Sequence, residues 1–240
     1  TRSGTAPATH TWDRSPRAPA SSAWDRPWRP SRTGWSCTPR RPGPGPVGHV
    51  AVGWDAVGRR FLTHGSPPGV DWASGVTSEW RRETAAWRSV ETGMLRNSLY
   101  HAMVYDPEDD VILSFGGFWP SSYSNDLFAL DGSAPSRWEL LRAANPPSPR
   151  VAHSLVLDTR RHRLLLFGGS VMLGAAPDSA VYALSLEPPY EWTCLETEGP
   201  RPPATYFHAA GYDAGRDRML IHSGFAQLGL PTLVWLKTLA

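Results

Sequence analysis

Residues 153–196 read HSLVLDTRRHRLLLFGGSVMLGAAPDSAVYALSLEPPYEWTCLE. This stretch predicts one short structural unit. His153 opens an apolar stretch that closes at Asp158, and a charged turn then leads to a second apolar stretch. That second stretch ends in the pair Gly168-Gly169, a third stretch follows a variable loop, and Trp192 begins a fourth. Partial alternation with a period of two, without helical spacing, predicts four short strands.

The same order of residues occurs four times along the chain, which is the strongest pattern in the sequence. The repeats begin at His49, His101, His153 and His208, at steps of 52, 52 and 55 residues. The second strands are predicted at 61–64, 111–115, 164–167 and 219–222, and the third at 126–130, 181–186, 233–236 and, more weakly, 77–81. The fourth strands open at Trp87, Trp138 and Trp192. Four short strands in about 50 residues are typical of a propeller blade.

Each repeated residue type has a physical role in such a blade. The Asp after strand one favours a hairpin turn, because its carboxylate binds the backbone of that turn. The small pairs, which include Gly116-Gly117 and Gly168-Gly169, allow positive φ where the chain leaves strand two. The Trp residues supply large surfaces for packing between blades. Because the His recurs in every blade, we expect it to serve the blade rather than a ligand.

The pattern at 153–196 resembles the kelch repeat, which has a double Gly after strand two, an aromatic residue in strand three and a Trp in strand four. Residues 101–141 match nearly as well, with Phe128 in the aromatic position. The repeats that begin at His49 and His208 keep one Gly of the pair. The resemblance covers 47–236 and implies an all-β, kelch-like β-propeller of four-stranded antiparallel blades.

The predicted domain spans 35–240, with blades at 49–90, 101–142, 153–196 and 208–236. Residues 35–38 (WSCT) have the register of a fourth strand and would complete the last blade. Two alternatives remain open: a closed ring of four blades, or one part of a larger ring whose further blades are absent from this chain. Residues 1–34 are rich in Arg, Pro and Trp and are predicted to be an irregular, disordered leader.

Charge and composition exclude several classes of function. Residues 1–46 contain eight Arg and two Asp, whereas the remainder contains 16 Lys and Arg against 20 Asp and Glu. An acidic body argues against nucleic acid as the main partner. No apolar run approaches the roughly 18 residues that a membrane span needs. Cys37 and Cys194 form neither a disulfide framework nor a zinc site, and the compartment stays undetermined.

The topology predicts which loops share a rim. Strand one starts and strand two ends on the same side, so the connectors and the loops after the small pairs lie together there. The candidate ligand-binding residues on this rim are Trp72, Trp119, Tyr123, Asn125, Arg150 and Phe225. Exposed aromatic side chains beside an Arg are common in protein-binding sites. We therefore expect a protein partner, with a glycan as the alternative.

Catalysis has little support in the sequence, although it stays open. No G-x-S-x-G elbow or H-E-x-x-H pair is present. The repeated His residues could suggest a metal ring, but a ligand set normally breaks a repeat, so neither metal nor cofactor is expected. The kelch resemblance also implies an alternative function, a carbohydrate-binding or carbohydrate-modifying propeller similar to galactose oxidase or to an epimerase.

Overall fold

The computed structural model describes residues 51–65, 75–93, 95, 99–119, 121–135, 137–196, 202–225 and 234–238. The predicted leader at 1–34, the predicted strand at 35–38, His49 and Trp72 lie outside these residues. The described residues all belong to one compact unit, Arg40–Ala240. Every regular element in this part of the chain is a β-strand. None of these residues forms a helix of the length and hydrophobicity that a membrane crossing requires.

Four antiparallel sheets follow one another along the chain, each built in the order of its strands. Blade one contains β1 (Ala51–Asp55), β2 (Arg60–Gly65), β3 (Val76–Arg81) and β4 (Ala86–Val90). Blade two contains β5 (Ala102–Asp106), β6 (Val111–Phe115), β9 (Leu127–Asp131) and β10 (Glu139–Leu141), with a small hairpin of β7 (Phe118–Trp119) and β8 (Ser122–Tyr123) between β6 and β9. Blade three contains β11 (Ser154–Asp158), β12 (Arg163–Phe167), β13 (Val181–Ser185) and β14 (Trp192–Leu195). In blade four the described strands are β15 (Ala209–Asp213), β16 (Arg218–His222) and β17 (Val234–Thr238).

The sheets confirm the predicted all-β fold with propeller-like blades. Each predicted strand within the described residues lies within two residues of an observed strand. The hairpin β7–β8 falls in a stretch that the sequence predicts only as a variable loop.

Strands one and two pair in the same register in all four blades. The first residue of strand one lies opposite a residue near the end of strand two, which we call the slot residue. The pairs are Ala51 with His64, Ala102 with Phe115, Ser154 with Phe167, and Ala209 with His222. Equivalent positions in different blades can therefore be compared directly.

The Asp that ends strand one closes the hairpin turn, as the repeat predicts. Asp55 Oδ1 accepts from the Gly58 amide at 2.6 Å, and Asp158 Oδ1 accepts from the Arg160 amide at 3.1 Å. Similar bonds form at Asp106 and Asp213. These bonds satisfy turn amides that no ladder partner reaches.

The buried core is divided among the three junctions between consecutive blades. Strand β1 packs beside β5, β5 beside β11, and β11 beside β15. One apolar cluster joins Leu62 of blade one to Ile112 and Trp138 of blade two. Two similar clusters fill the junctions between blades two and three and between blades three and four. Packing between blades, rather than within them, is the main source of buried apolar surface.

Candidate interaction rim

The connector rim is the side of the protein where strand one of each blade starts and strand two ends. At this side the repeated Gly and His residues of neighbouring blades approach one another. A Cβ added to Gly116 would lie 2.7 Å from the carbonyl oxygen of Arg150 and 2.7 Å from Cε1 of His153. A Cβ added to Gly168 would lie similarly close to the carbonyl oxygen of Thr205 and to Cε1 of His208. Both glycines have a φ of +68°. Only glycine fits the backbone and the space at these positions.

Each described His at the start of strand one packs on the slot residue of the preceding blade. The ring centroids of His101 and His64 are 5.5 Å apart, those of His153 and Phe115 5.6 Å, and those of His208 and Phe167 5.2 Å. Burial lowers the pKa of His153 to about 3 and that of His64 to about 4. The imidazoles are therefore neutral packing groups at neutral pH.

The Trp at the start of strand four covers the same slot from the outer side. The ring centroids of Trp138 and His64 are 5.9 Å apart, and Trp138 Nε1 donates to Oγ1 of Thr77 at 3.1 Å. Trp192 lies 4.8 Å from Phe115, again across a junction. A slot residue is thus held between a His and a Trp of the following blade.

Backbone hydrogen bonds link the blades along the connector rim. The residue before each described His has positive φ: 57° at Tyr100, 56° at Ala152 and 54° at Phe207. The amide of Ala152 donates to the carbonyl of Tyr100 at 2.9 Å, and the amide of Phe207 donates to the carbonyl of Ala152 at 2.9 Å. A positive φ is uncommon for residues other than glycine, and here it recurs at all three described connectors, so it belongs to the junction itself.

Four aromatic side chains gather on this bonded backbone, and we call them the rim aromatic cluster: Tyr100, Tyr206, Phe207 and Phe225. Phe207 lies 5.4 Å from Tyr100 and 5.5 Å from Tyr206, and Tyr206 stacks on Phe225 at 5.9 Å. Phe225 is 64% exposed and Phe207 is 45% exposed. Large rings held in water by a fixed backbone are typical of a binding surface.

A second apolar group occupies the same rim. The loop residues Val171, Met172 and Leu173 are all exposed. The amide of Leu173 donates to the hydroxyl of Tyr123 at 3.2 Å, and Tyr123 packs on Phe118 at 4.9 Å. Three consecutive exposed apolar residues are unusual on a monomer surface unless they contact a partner.

The predicted rim residues fall into different environments. Phe225 is exposed and Tyr123 is half-buried, and both take part in the apolar groups of the rim. Trp119 lies in β7, whereas Trp72 lies outside the described residues. Asn125 donates from Nδ2 to the carbonyl of Pro147 at 2.9 Å, so its amide holds a connector.

Arg150, which the sequence predicts as a ligand-binding residue of the rim, is buried. Its Nη1 donates to the carbonyl of Gly168 at 3.0 Å, and Nη2 donates to Oδ2 of Asp178 at 3.1 Å. The guanidinium also lies over the ring of Tyr182 at 5.0 Å. These contacts fix the loop that carries Val171, Met172 and Leu173, so Arg150 supports the rim from below.

Sequence reasoning missed Tyr100, Tyr206 and Phe207. The signal was present, because two of the three described connectors place an aromatic residue directly before the repeated His, where the third has Ala152. The sequence alone does not show where a connector ends and strand one begins, so those residues could equally be assigned to strand one.

The opposite rim contains a groove of about 460 Å³ between blades two and three. At its edge His162 Nε2 lies 2.8 Å from Oδ2 of Asp106 and 3.7 Å from Oδ2 of Asp109. Among the described residues, this is the one group of three ligand-type side chains with donor atoms within 4.8 Å. Burial lowers the pKa of His162, but its hydrogen bonds to Asp106 and Glu187 outweigh this and raise it. The contact between His162 and Asp106 joins blade three to blade two, and this polar link across the junction is sufficient to account for the arrangement.

Comparison with known proteins gives partial matches. No family model matches the chain. Mei4-dependent protein 6 of Schizosaccharomyces pombe is 27% identical over 132 residues, which are 52% of this chain and 19% of that protein. The serine/threonine-protein phosphatase BSL2 of Arabidopsis thaliana is 35% identical over 113 residues, which are 45% of this chain and 11% of that protein. The chain therefore spans a small part of either relative.

Among solved structures, YjhT is similar to this chain with a TM-score of 0.54 and 13% sequence identity. The match covers 69% of this chain and 56% of YjhT. At this identity the likeness concerns the fold alone, and it agrees with an all-β protein built from propeller-like blades.

Proposed function

We propose that this chain is a non-catalytic protein-interaction module, a kelch-like propeller that binds its partner through the connector rim. The rim aromatic cluster is the observation that carries the proposal. Phe207 and Phe225 are exposed while the backbone beneath them is fixed by bonds from blade to blade. A rigid apolar surface loses little conformational entropy on binding, which favours recognition of a protein.

The composition of the rim favours a protein over a glycan. Its large exposed apolar side chains include Phe207, Phe225 and the run at 171–173. A sugar site needs polar groups that bond hydroxyls beside any stacking ring. The polar residues predicted for the rim, Asn125 and Arg150, are occupied by connector and loop atoms. Glycan binding stays as the alternative that the same experiment tests.

The test compares partner capture by the full chain and by the double variant Phe207→Ala, Phe225→Ala. Ala152 occupies the position equivalent to Phe207, so alanine keeps the backbone there. We expect affinity for captured proteins to fall by about tenfold or more, because apolar anchors dominate such interfaces. Leu140→Ala is the matched control, since Leu140 is an exposed apolar residue on β10 of blade two.

The outcomes are distinct. Loss of partners in the double variant, with thermal stability and the Leu140→Ala variant unchanged, supports the rim. Equal capture by all three proteins would exclude it. Binding of the full chain to a glycan array, abolished in the double variant and without any captured protein, would instead establish the carbohydrate alternative.

A further inference from the structure

The outer face of blade one, which points away from blade two, is covered with exposed large side chains. Trp54 and Phe61 lie on this face with ring centroids 4.6 Å apart, and Phe61 lies 5.9 Å from Trp80. Trp54 is 45% exposed, and Val52 beside it is exposed too. Leu62, on the other face of β2, is fully buried. We call Trp54, Phe61 and Trp80 the outer aromatic ladder.

The equivalent ladder in blade two shows what such a face packs against. By register, Tyr105, Ile112 and Leu130 occupy the positions of Trp54, Phe61 and Trp80. All three are buried, in the cluster that joins blade two to blade one. The ladder of blade one is therefore a junction surface without a preceding blade among the described residues.

Blade four has the complementary face. Its slot residue, His222, is exposed, and Leu220 beside it is half-buried. The equivalent pairs in the other blades, Leu62 with His64, Leu113 with Phe115 and Leu165 with Phe167, are fully or almost fully buried. At each inner junction a His of the following blade covers this slot, and at two of them a Trp is also seen to cover it.

The polar contacts of the inner junctions also have counterparts on the two outer faces. Burial, together with the carboxylates of Asp110 in its own blade and Asp55 in the preceding one, raises the pKa of Tyr105. The pKa of Tyr212 is raised in the same way, by burial and by the carboxylates of Asp217 in its own blade and Asp158 of blade three. Trp54 occupies the position of these tyrosines and carries one N–H donor. Asp213 of blade four occupies the position of Asp55 and Asp158 and is partly exposed.

We propose that the outer face of blade four of one copy docks on the outer aromatic ladder of a second copy. Trp87 of one copy would then cover His222 of the other, as Trp138 covers His64, and Trp54 would donate to Asp213. One molecule carries both halves of this contact. Within a single copy, no contact as extensive as those between β1, β5, β11 and β15 joins β15 to β1 among the described residues. Such a head-to-tail contact can repeat through further copies, and these form a closed ring if the rotation between neighbouring copies permits it.

The first test measures the mass of the full chain by sedimentation velocity up to about 100 μM. We expect species of at least twice 26.4 kDa that dissociate on dilution. Trp54→Arg places a charge on the ladder and should weaken association by at least about tenfold, as truncation of a central aromatic anchor does. Leu140→Arg adds the same charge on another surface and should leave association unchanged. A monomer at every concentration, or equal weakening by both variants, would overturn the proposal.

The second test determines which faces meet. In a background of Cys37→Ser and Cys194→Ser, one protein carries Trp87→Cys and another carries His222→Cys. A short bismaleimide should join the mixed proteins into a covalent dimer and leave each protein alone unjoined. Covalent dimers of one variant alone would show a symmetric contact instead. A third protein that carries both Trp87→Cys and His222→Cys tests closure, because an intramolecular link in it would show that the chain closes on itself. Either result contradicts the proposal. Phe207→Ala, on the rim, should leave the mass unchanged, so the rim and the outer faces are tested separately.

Discussion

At the scale of single residues, the pair of glycines after strand two exists because two blades meet there. The amide of Gly117 donates to the carbonyl of Arg150 at 2.9 Å, and the amide of Gly169 donates to that of Thr205 at 2.9 Å. Such bonds bring the connector against the glycines, which leaves no room for a Cβ. The glycine pair is thus a requirement of the junction as well as of the turn.

We predict that Gly116→Ala lowers the free energy of unfolding by about 2–4 kcal/mol, from left-handed strain and from overpacking against Arg150 and His153. Gly93→Ala separates the two causes. Gly93 has the same φ of +68°, but nothing lies within 4 Å of its Cβ position. It should therefore show the strain alone, about 1–2 kcal/mol. Urea denaturation measures both, and equal losses would mean that the close approach costs nothing.

At the scale of secondary-structure elements, the fourth strand contributes mainly through the Trp at its start. The strands themselves are short and largely exposed, with three residues in β10 and four in β14. Trp138 and Trp192 are nevertheless buried, because each reaches across a junction to the preceding blade. Trp87 has the same place in blade one but is only half-buried.

Substitution of the three tryptophans by alanine should therefore have unequal effects. Trp138→Ala and Trp192→Ala should each cost about 3–5 kcal/mol, the usual loss for a buried aromatic side chain. Trp87→Ala should cost less in dilute monomer, about 1 kcal/mol, since part of its ring is already in water. Chemical denaturation at low protein concentration gives these values. A loss at Trp87 as large as that at Trp192 would show that a blade covers it in the monomer.

The sequence predicts the elements well because four copies of the repeat report the same pattern. Strand β6 occurs at its predicted bounds, and β9 is displaced by one residue. The hairpin β7–β8 could not be predicted, since it occurs in a single described repeat. The side chains of the candidate binding site were harder to predict, because they too differ from one repeat to the next. A repeat identifies what every blade shares, whereas Arg150 and Phe207 depend on contacts with neighbouring connectors.

At the scale of the whole molecule, each described junction contains a neutral imidazole, buried at the first two junctions and half-buried at the third. Burial lowers the pKa of His64 and His208 to about 4 and that of His153 to about 3, and it holds the pKa of His101 well below 6.5. In the unfolded chain these groups titrate near 6.5. Between pH 6.5 and about 4 the unfolded state therefore binds more protons, and stability falls as the pH falls.

We predict that each of these groups removes about 2 kcal/mol of stability between pH 7 and pH 5. His162 acts in the opposite direction, because its raised pKa makes its contribution largest at low pH, but it is one group against four. Thermal unfolding across this range should show a steep loss. His153→Phe keeps an aromatic ring and should make the loss shallower, whereas an unchanged slope would exclude the imidazole as its cause. Carboxylates titrate near pH 4 and below, outside this window.

The bonds from Ala152 to Tyr100 and from Phe207 to Ala152 use backbone atoms alone. The side chains at 100, 152 and 207 can therefore be exchanged without removing the links that hold the connectors together, provided that the new residue accepts a positive φ. The chain itself already has three different residues at these positions, Tyr, Ala and Phe. A library randomised at these three sites would diversify the recognition surface on a constant scaffold, much as hypervariable loops do on an antibody domain.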